Sequence, residues 1–520
     1  MDNYKHEKEA FVSGMTGSSV WHINLVSLAA LASVALHAAV QTRFLKTRRL
    51  SLLTSWAVLV LPLLLSMTLF ATRPLLLSLL LMAPTCYLLT MPKKEGPSPL
   101  PSKQPPSPGG SLRVKLPPLP ALSTYRAHMM LMTILAILAV DFPVFPRSLA
   151  KCETFGVSMM DLGVGSFVFS QGVVSALPLI RDQNYLTAPL LSKLIRVTKK
   201  CLPIIALGMA RVVLVKGAEY PEHVTEYGVH WNFFLTLAFL PILQVLLHPI
   251  IIYLPISLIG ILVAVAQQTV LSRYGLKEYV LNAPRTSLVG ANKEGIVSLT
   301  GYLAIHLLGL SAGTIILPPT PSFFRRRQQA IASRKAPSQD LDPRAPRQLG
   351  KTATELCSYA ILWWTLLGVS KLAKVDREWG PDGGVSRRMA NLPYVFWVAA
   401  YNISFTLAYI LILDLFFFPG PKPRKIPGHL KSPTVDYGQG HFQQAPAEVE
   451  GNPPELLEAI NKHGLALFLV ANVLTGLINL SMKTMYMSDA ASMIVLSAYS
   501  MVVSAVAWFW NRFDNSKKQR

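Results

Sequence analysis

Charged residues are scarce in this 520-residue chain. Asp, Glu, Lys and Arg together make up 15% of it, whereas 51% is hydrophobic and the mean hydropathy is +0.39. Soluble domains carry about 25% charged residues. The composition therefore excludes an ordinary soluble domain. It also excludes disorder for most of the chain, because apolar runs of membrane-spanning length recur from one end to the other.

Cysteine is rare as well. The four cysteines, Cys86, Cys152, Cys201 and Cys357, are widely separated and form no Cys-x-x-Cys motif. This spacing argues against a disulfide scaffold, a zinc site or an iron–sulfur cluster. The sequence also lacks a Gly-x-Ser-x-Gly elbow, a Walker loop, a His-Glu-x-x-His motif and a His-x4-Asp acyltransferase pair. We therefore expect no bound metal.

Long runs of apolar residues are the dominant feature of the sequence. A bilayer core of about 30 Å requires about 20 mostly apolar residues per helix. The sequence predicts thirteen such runs: 21–40, 51–71, 74–91, 125–140, 158–180, 201–217, 232–248, 250–271, 296–317, 353–370, 392–417, 463–482 and 489–510. It thus predicts an all-α polytopic membrane protein in which residues 1–520 form a single domain. The polar first twenty residues lack a signal-peptide pattern, so the first run is expected to be an uncleaved anchor.

Basic residues predict the orientation of the chain. The excess of Lys and Arg over Asp and Glu is 49 − 27 = +22. Much of this excess positive charge lies in four segments, each of which follows an odd-numbered run. These segments are the loop after the first run, the Pro-rich linker 92–120, the segment 181–200 and the basic loop 318–350. The positive-inside rule makes these loops cytosolic, together with the flexible loop 418–455, and makes the N-terminus lumenal and the C-terminus cytosolic. Nucleic acid is not expected as a partner, because these basic segments lack interleaved aromatics and are separated by spans.

The opposite, lumenal face carries polar residues at membrane depth, where ionisable groups usually face an interior cavity. Glu226 and His230 would share one helical face if the seventh span began near Glu226. A solvated loop face is the alternative for Glu226, and close helix packing is the simplest reason for Gly163 and Gly165. Asn479-Leu-Ser481 matches a glycosylation acceptor pattern, but it lies inside a span, which argues against modification.

Several segments together resemble a known family, the inositol acyltransferases of glycosylphosphatidylinositol (GPI)-anchor synthesis, and its fungal branch most closely. The resemblance rests on these segments: 11–17, Asp141–Arg147, 160–169, 226–234, 293–296, 461–464 and 472–476. Their order along nearly the whole chain makes the resemblance specific. Ser148 and Phe155 depart from the family, which usually has a second arginine and a tryptophan at these positions.

This resemblance implies transfer of a fatty acyl chain, typically palmitoyl, from acyl-CoA to the inositol 2-hydroxyl of glucosaminyl-phosphatidylinositol. The expected location is the endoplasmic reticulum membrane, with membrane lipids as partners and acyl-CoA as a co-substrate in place of a cofactor. Asp141 is expected to be the general base and Lys151 its electrostatic partner; on the residues alone, an ion pair that only anchors the loop is an equal alternative. The expected substrate-binding residues are Arg147, Asp161, Glu226, His230, Trp231, Asn232, Asn292 and Glu294.

Two other functional classes compete with this interpretation. A polytopic lipid or small-molecule transporter would also have many spans and intramembrane charges, but the sequence shows no internal repeat and no matched pair of broken helices. A non-catalytic scaffold would have no need of the polar lumenal cluster. The C-terminal Lys517 and Lys518 match a dilysine address read by vesicle coats, which predicts retrieval to the endoplasmic reticulum.

Overall fold

The computed structural model describes residues 7–8, 10–44, 50–93, 116, 118–217, 224–334, 342–343, 345–373, 384–419 and 453–519. The described chain is helical and contains no β-strand, apart from isolated bridges that join Gly17 and Ser18 to Val157. The predicted all-α architecture is confirmed.

The helices are numbered in chain order. The first ten are α1 Val20–Arg43, α2 Leu52–Leu59, α3 Leu61–Met67, α4 Pro74–Leu89, α5 Pro120–Ala139, α6 Met159–Arg181, α7 Leu190–Gly217, α8 Val224–Tyr227, α9 Phe233–Leu246 and α10 His248–Ile251. The others are α11 Ile256–Arg273, α12 Leu276–Asn282, α13 Leu288–Ala291, α14 Lys293–Ile316, α15 Phe323–Ala332, α16 Leu349–Leu372, α17 Leu392–Tyr409, α18 Glu455–Lys462, α19 Gly464–Ser481 and α20 Asp489–Gln519. A π-helical segment, Ile410–Phe417, continues α17.

Each of the thirteen predicted runs coincides with one or two of these helices. Within the described residues, eight helical spans are long and apolar enough to cross a membrane: α1, α5, α6, α11, α14, α17 with its π-helical continuation, α19 and α20. The remaining runs lie on shorter helices, such as α4 and α9, or on the more polar α7 and α16. The chain is therefore polytopic, while the count of thirteen crossings and the orientation remain predictions.

The centre of the bundle is the pair α6 and α14, which pack with their backbones in contact. A Cβ atom added at Gly172 would lie 2.1 Å from the carbonyl oxygen of His306, and one at Gly309 would lie 2.1 Å from that of Phe169. Only glycine fits at such a crossing, and small residues allow close packing of helices in a bilayer. This contact fixes α6, which forms one wall of the site described below.

The predicted loops differ in how far the structure describes them. The basic loop 318–350 contains the helix α15, whose buried Arg327 donates to the carbonyl oxygens of Leu179 and Ile180 at the end of α6. Part of the predicted loop is therefore a packed helix, because its arginine binds backbone carbonyls left unsatisfied at a helix end. Most of the linker 92–120 and residues 420–452 of the loop 418–455 lie outside the described residues.

Candidate functional site

A cavity of about 1420 Å³ lies inside the bundle. Its walls come from α5, α6, α7, α9 and α19, and from the N-terminal segment and the loops near it. Along α6 the lining residues run from Met159 to Pro178, which at 1.5 Å per residue is about 28 Å. This is close to the thickness of a bilayer core, about 30 Å. The cavity therefore follows most of the length of the bundle.

Asp141 lies at one end of this cavity, just beyond the C-terminus of α5. Its side chain is buried, and its carboxylate is held from two sides. Asn479 Nδ2 donates to Asp141 Oδ2 at 2.8 Å, and Lys8 Nζ lies 3.4 Å from Asp141 Oδ1. Lys8 Nζ also donates to Asn479 Oδ1 at 2.9 Å. A buried carboxylate is tolerated when it is paired and hydrogen-bonded, and Lys8 and Asn479 meet both needs.

Lys151 lines the same end of the cavity but has a different partner. Its ammonium donates to Glu226 Oε1 at 2.8 Å and to Oε2 at 3.1 Å. The sequence pointed to Asp141 as the partner of Lys151; in the structure the carboxylate of Glu226 is within reach of Lys151, and Asp141 is paired with Lys8. The predicted catalytic pair therefore faces one cavity, but the two side chains form no ion pair with each other.

Arg147 orders the loop that carries Asp141. Its guanidinium donates to the carbonyl oxygens of Val140, Phe142 and Phe145, and it lies 4.2 Å above the ring of Phe11. Burial lowers the pKa of Arg147 to about 10, against the opposing effect of Asp141. Because its donors are used on its own loop and it does not line the cavity, Arg147 positions the loop that holds Asp141.

Asp161 lies behind the cavity wall, in a cluster in which its carboxylate accepts three hydrogen bonds. Arg387 Nε donates to Oδ1 at 2.6 Å, while the backbone N–H of Cys152 and the hydroxyl of Ser158 donate to Oδ2 at 3.0 and 2.8 Å. Burial acts to lower the pKa of Arg387, but the carboxylates of Asp161 and Glu226 together with two neighbouring tyrosines outweigh it, so this pKa lies well above its ordinary value. The cluster joins the loop after α5 to the start of α6 and to the segment before α17.

Glu294 and Asn292 lie at the start of α14, and neither lines the cavity. The fully buried Glu294 accepts from Arg285 at 2.9 Å and from Arg388 at 2.9 Å. Asn292 Oδ1 accepts the backbone N–H of His230 at 2.8 Å. These contacts join the α8–α9 loop to the start of α14, so the structure gives both residues an anchoring position.

The predicted shared helical face of Glu226 and His230 is wrong. The helix α8 ends at Tyr227, because Gly228 has a φ of +119°. A Cβ at Gly228 would lie 2.6 Å from the Cα atom of Asn292, so only glycine fits this turn. Glu226 lines the cavity, whereas His230 lies beyond the turn and is not among the lining residues.

Trp231 and Asn232 line the cavity, as the sequence suggested, but their polar atoms bind the protein. Trp231 Nε1 donates to Thr236 Oγ1 at 2.9 Å. Asn232 caps α9, accepting from the N–H groups of Phe234 and Leu235, and its Nδ2 donates to the Gly208 carbonyl at 2.7 Å. Both residues therefore shape the wall through their side-chain surfaces.

Sequence reasoning missed several residues of the cavity, among them Lys8, Asn479 and Arg126. Lys8 belongs to a polar N-terminal stretch without a motif, and Asn479 stood out only as a glycosylation pattern. Arg126 did carry a detectable signal, since an arginine inside a predicted span is a functional candidate by default. It lines the cavity and donates through Nε to Ser170 Oγ at 3.1 Å.

The cavity as a whole is basic. Among the described residues, seven Lys or Arg side chains line it against three Asp or Glu. The basic ones are Lys8, Arg126, Lys151, Lys200, Arg211, Arg387 and Lys462, and the acidic ones are Asp141, Glu153 and Glu226. Such a surface favours an anionic ligand. No group of three His, Cys, Asp or Glu side chains that could hold a metal ion occurs in the described part of the chain.

Comparison with known families identifies the family to which the chain belongs. The sequence model described as GWT1 matches residues 4–510. The chain belongs to the GWT1 family. The resemblance drawn from the motifs is thereby confirmed.

Curated members of the GWT1 family resemble this chain over almost their whole length. It is 38% identical to GPI-anchored wall transfer protein 1 of Aspergillus fumigatus over 97% of each chain. It is 36% identical to the protein of the same name from Cryptococcus neoformans var. grubii over 98% of each, and 35% identical to that of Candida albicans over 98% of each. The GWT1-family match includes both Lys8 and Asn479, so all the residues around Asp141 lie within the shared domain.

Proposed function

We propose that this chain is an acyltransferase of GPI biosynthesis, which moves a fatty acyl group from acyl-CoA to the inositol 2-hydroxyl of glucosaminyl-phosphatidylinositol. Membership of the GWT1 family and the name of its curated members support a role in GPI biosynthesis. The observation that carries the chemistry is the buried Asp141 carboxylate at one end of a membrane-length cavity. A carboxylate in that position is a suitable base for a lipid-borne hydroxyl.

The reaction uses Asp141 as the proton acceptor. Its carboxylate takes the proton of the inositol 2-hydroxyl, and the hydroxyl oxygen attacks the thioester carbonyl carbon. The tetrahedral intermediate then collapses, the carbon–sulfur bond breaks, and the CoA thiolate takes up the proton held by Asp141. The products are an inositol ester and free CoA, and Asp141 returns to its starting state.

Lys151 is suited to stabilise the charge that develops on the thioester oxygen. A donor aimed at an oxyanion in a water-excluded site typically contributes a factor of about 10²–10³ in rate. Glu226 holds the Lys151 ammonium at the cavity edge through two hydrogen bonds. The ammonium has a third donor for the oxyanion. The partner of Lys151 in this role is thus Glu226, and the two act as a positioned pair.

The donor would enter from the opposite end of the cavity. Lys462 lies at that end, just before the start of α19, and Lys200 lines the cavity from α7. Arg126 lies in α5, 15 residues before Asp141. At the rise of an α-helix, this separation corresponds to about 22 Å along the helix axis. No Asp or Glu in the described residues forms an ion pair with Arg126, so phosphate groups of a CoA ester would find an unneutralised guanidinium there. This arrangement offers a route from the cytosol to a reacting centre near the lumenal face.

The wall between these ends is suited to an acyl chain. Methionine and aromatic side chains line it, among them Met129, Met130, Phe167, Phe405 and Phe468. Flexible thioethers and aromatic rings adapt to a long apolar ligand. Preferred acyl length is then set by the depth of this wall, and palmitoyl is the expected chain.

The deciding experiment supplies radiolabelled acyl-CoA and glucosaminyl-phosphatidylinositol to microsomes from cells that express the chain. An acylated glycolipid that resists phosphatidylinositol-specific phospholipase is expected, because an ester on the 2-hydroxyl blocks attack on the adjacent phosphate. Microsomes carrying Asp141→Asn serve as the control. Transfer of labelled substrate across the membrane without modification would contradict the enzyme and favour a transporter.

A further inference from the structure

The N-terminal segment reaches across the bundle to the candidate base. The backbone N–H of Ser18 donates to the carbonyl of Val157 at 2.6 Å, and that of Glu153 donates to the carbonyl of Met15 at 3.3 Å. Phe11 packs under the guanidinium of Arg147. These contacts anchor the segment on the loop that carries Lys151 and leads into α6, and Lys8 lines the cavity wall.

Among the residues that the structure describes, Lys8 is the cation that forms an ion pair with Asp141. Its ammonium has three donors, of which one faces Asp141 Oδ1 at 3.4 Å and one binds Asn479 Oδ1 at 2.9 Å. The residue lines the cavity, so the remaining donor is available to a ligand bound next to Asp141. The other nearby cations are engaged elsewhere, since Lys151 binds Glu226 and Arg147 binds loop carbonyls.

The chemistry of the acceptor places an anion at the same point. In a phosphatidylinositol the phosphodiester is attached to inositol carbon 1, and the hydroxyl that would react is on the neighbouring carbon 2. When Asp141 accepts the proton of that hydroxyl, the phosphodiester is one ring carbon away. A cation touching Asp141 is therefore also within reach of the phosphate oxygens.

We propose that Lys8 binds the phosphodiester of the acceptor lipid and so positions the 2-hydroxyl against Asp141. This assignment rests on the proposed function and extends it to an acceptor-recognition residue supplied by the N-terminal segment. Lys8 exchanges its long contact with Asp141 for a charge-assisted hydrogen bond to phosphate, which leaves the carboxylate oxygen open to the hydroxyl proton. Asn479 keeps the second carboxylate oxygen in place throughout.

The test compares two acceptors with the purified full-length chain at saturating donor. One is glucosaminyl-phosphatidylinositol, and the other has the same head group and tails joined by an uncharged methylphosphonate. Wild type is expected to favour the phosphodiester by about 10- to 100-fold in kcat/KM, the factor that one charge-assisted hydrogen bond contributes. Lys8→Gln should bring this ratio close to one, and Lys8→Arg should keep most of it. Lys277→Gln, which removes a lysine outside the cavity lining, should keep the wild-type ratio.

The outcomes separate the two proposals. A wild-type ratio near one, or a Lys8→Gln variant that loses rate equally with both acceptors and keeps the ratio, would show that Lys8 does not read the phosphate. Where Lys8→Gln fails to fold, a wild-type ratio near one still contradicts the assignment, and Lys8→Met takes the place of Lys8→Gln as the test of a high ratio. Acylation of neither acceptor by folded wild type would instead contradict the proposed acyltransferase function, and with it the assignment that depends on it.

Discussion

Lys151 and Glu226 form a bidentate salt bridge at the edge of the cavity, in which Lys151 Nζ lies 2.8 Å from Oε1 and 3.1 Å from Oε2 of Glu226. They are 75 residues apart in sequence: Lys151 lies in the loop before α6, and Glu226 lies in the short helix α8. The bridge leaves Asp141 to a separate group formed with Lys8 and Asn479. The site thus has two charge pairs facing one cavity, and each pair has its own role in the proposed reaction.

Asp141→Asn should abolish most turnover while acceptor binding stays near normal. The amide keeps the shape of the side chain but cannot accept the hydroxyl proton, and a positioned base typically contributes about 10²–10⁴ in rate. The measurement is kcat in purified protein, beside acceptor affinity by a binding assay. Asp182→Asn, in the loop after α6, is the matched control and should behave like wild type. Near-wild-type kcat in folded Asp141→Asn would remove Asp141 from the role of base.

Lys151→Ala should lower kcat by a factor similar to that for Asp141→Asn, and the Asp141→Asn/Lys151→Ala double variant should be little worse than either. Residues that act as one catalytic unit show such non-additive losses. Fully additive losses in a double-mutant analysis would mean that the two residues act independently.

Glu226→Gln should reduce kcat/KM less than Lys151→Ala does. The amide keeps an acceptor for the ammonium but removes the charge that holds it in place. In a Lys151→Ala background, Glu226→Gln should have no further effect, because the group it orients is gone. A further loss in that background would indicate that Glu226 has its own contact with substrate.

Arg126→Gln should raise the KM for acyl-CoA by about 10- to 100-fold, the worth of one charge-assisted contact to phosphate. The KM for the lipid acceptor should stay unchanged, because Arg126 lies about 22 Å along α5 from Asp141. Arg325→Gln, on the exposed face of α15, is the control. An equal rise in both KM values would point to general damage to the bundle instead of loss of a donor contact.

Gly309→Ala should destabilise the protein measurably. The new methyl group would meet the Phe169 carbonyl oxygen at 2.1 Å, so α6 and α14 would have to separate. Overpacking of this kind typically costs about 1–3 kcal/mol. Thermal unfolding in detergent should show a lower Tm than wild type, whereas Gly368→Ala, with open space around the added Cβ, should not. Equal Tm values for both variants would mean that the crossing can relax freely.

Serine at both Lys517 and Lys518 should let part of the protein escape to compartments beyond the endoplasmic reticulum. The pair lies at the end of α20, where the sequence predicts a cytosolic retrieval address. Fluorescence microscopy of tagged protein measures the change, with Lys351→Ser as the control. Unchanged localisation would place the retention signal elsewhere in the chain.

The sequence predicted the helices well and their side-chain partners poorly. Its thirteen apolar runs all became helical, and Asp141, Lys151, Glu226, Trp231 and Asn232 do line one cavity. Five other predicted substrate-binding residues lie outside the lining: Arg147, Asp161, His230, Asn292 and Glu294. Those five looked alike in sequence because any polar residue at membrane depth is a candidate, whether it faces a ligand or another loop.

Local composition determined the architecture by itself, because a helix in a bilayer must satisfy its backbone hydrogen bonds within the segment that crosses. Apolar length and intervening polar loops therefore suffice to predict the helices. Only the tertiary structure decided which charges meet. Asn479 reaches Asp141 from 338 residues away, and Lys8 arrives from the N-terminal segment. Such contacts depend on how helices and loops pack, and a short-range pattern carries no information about that packing.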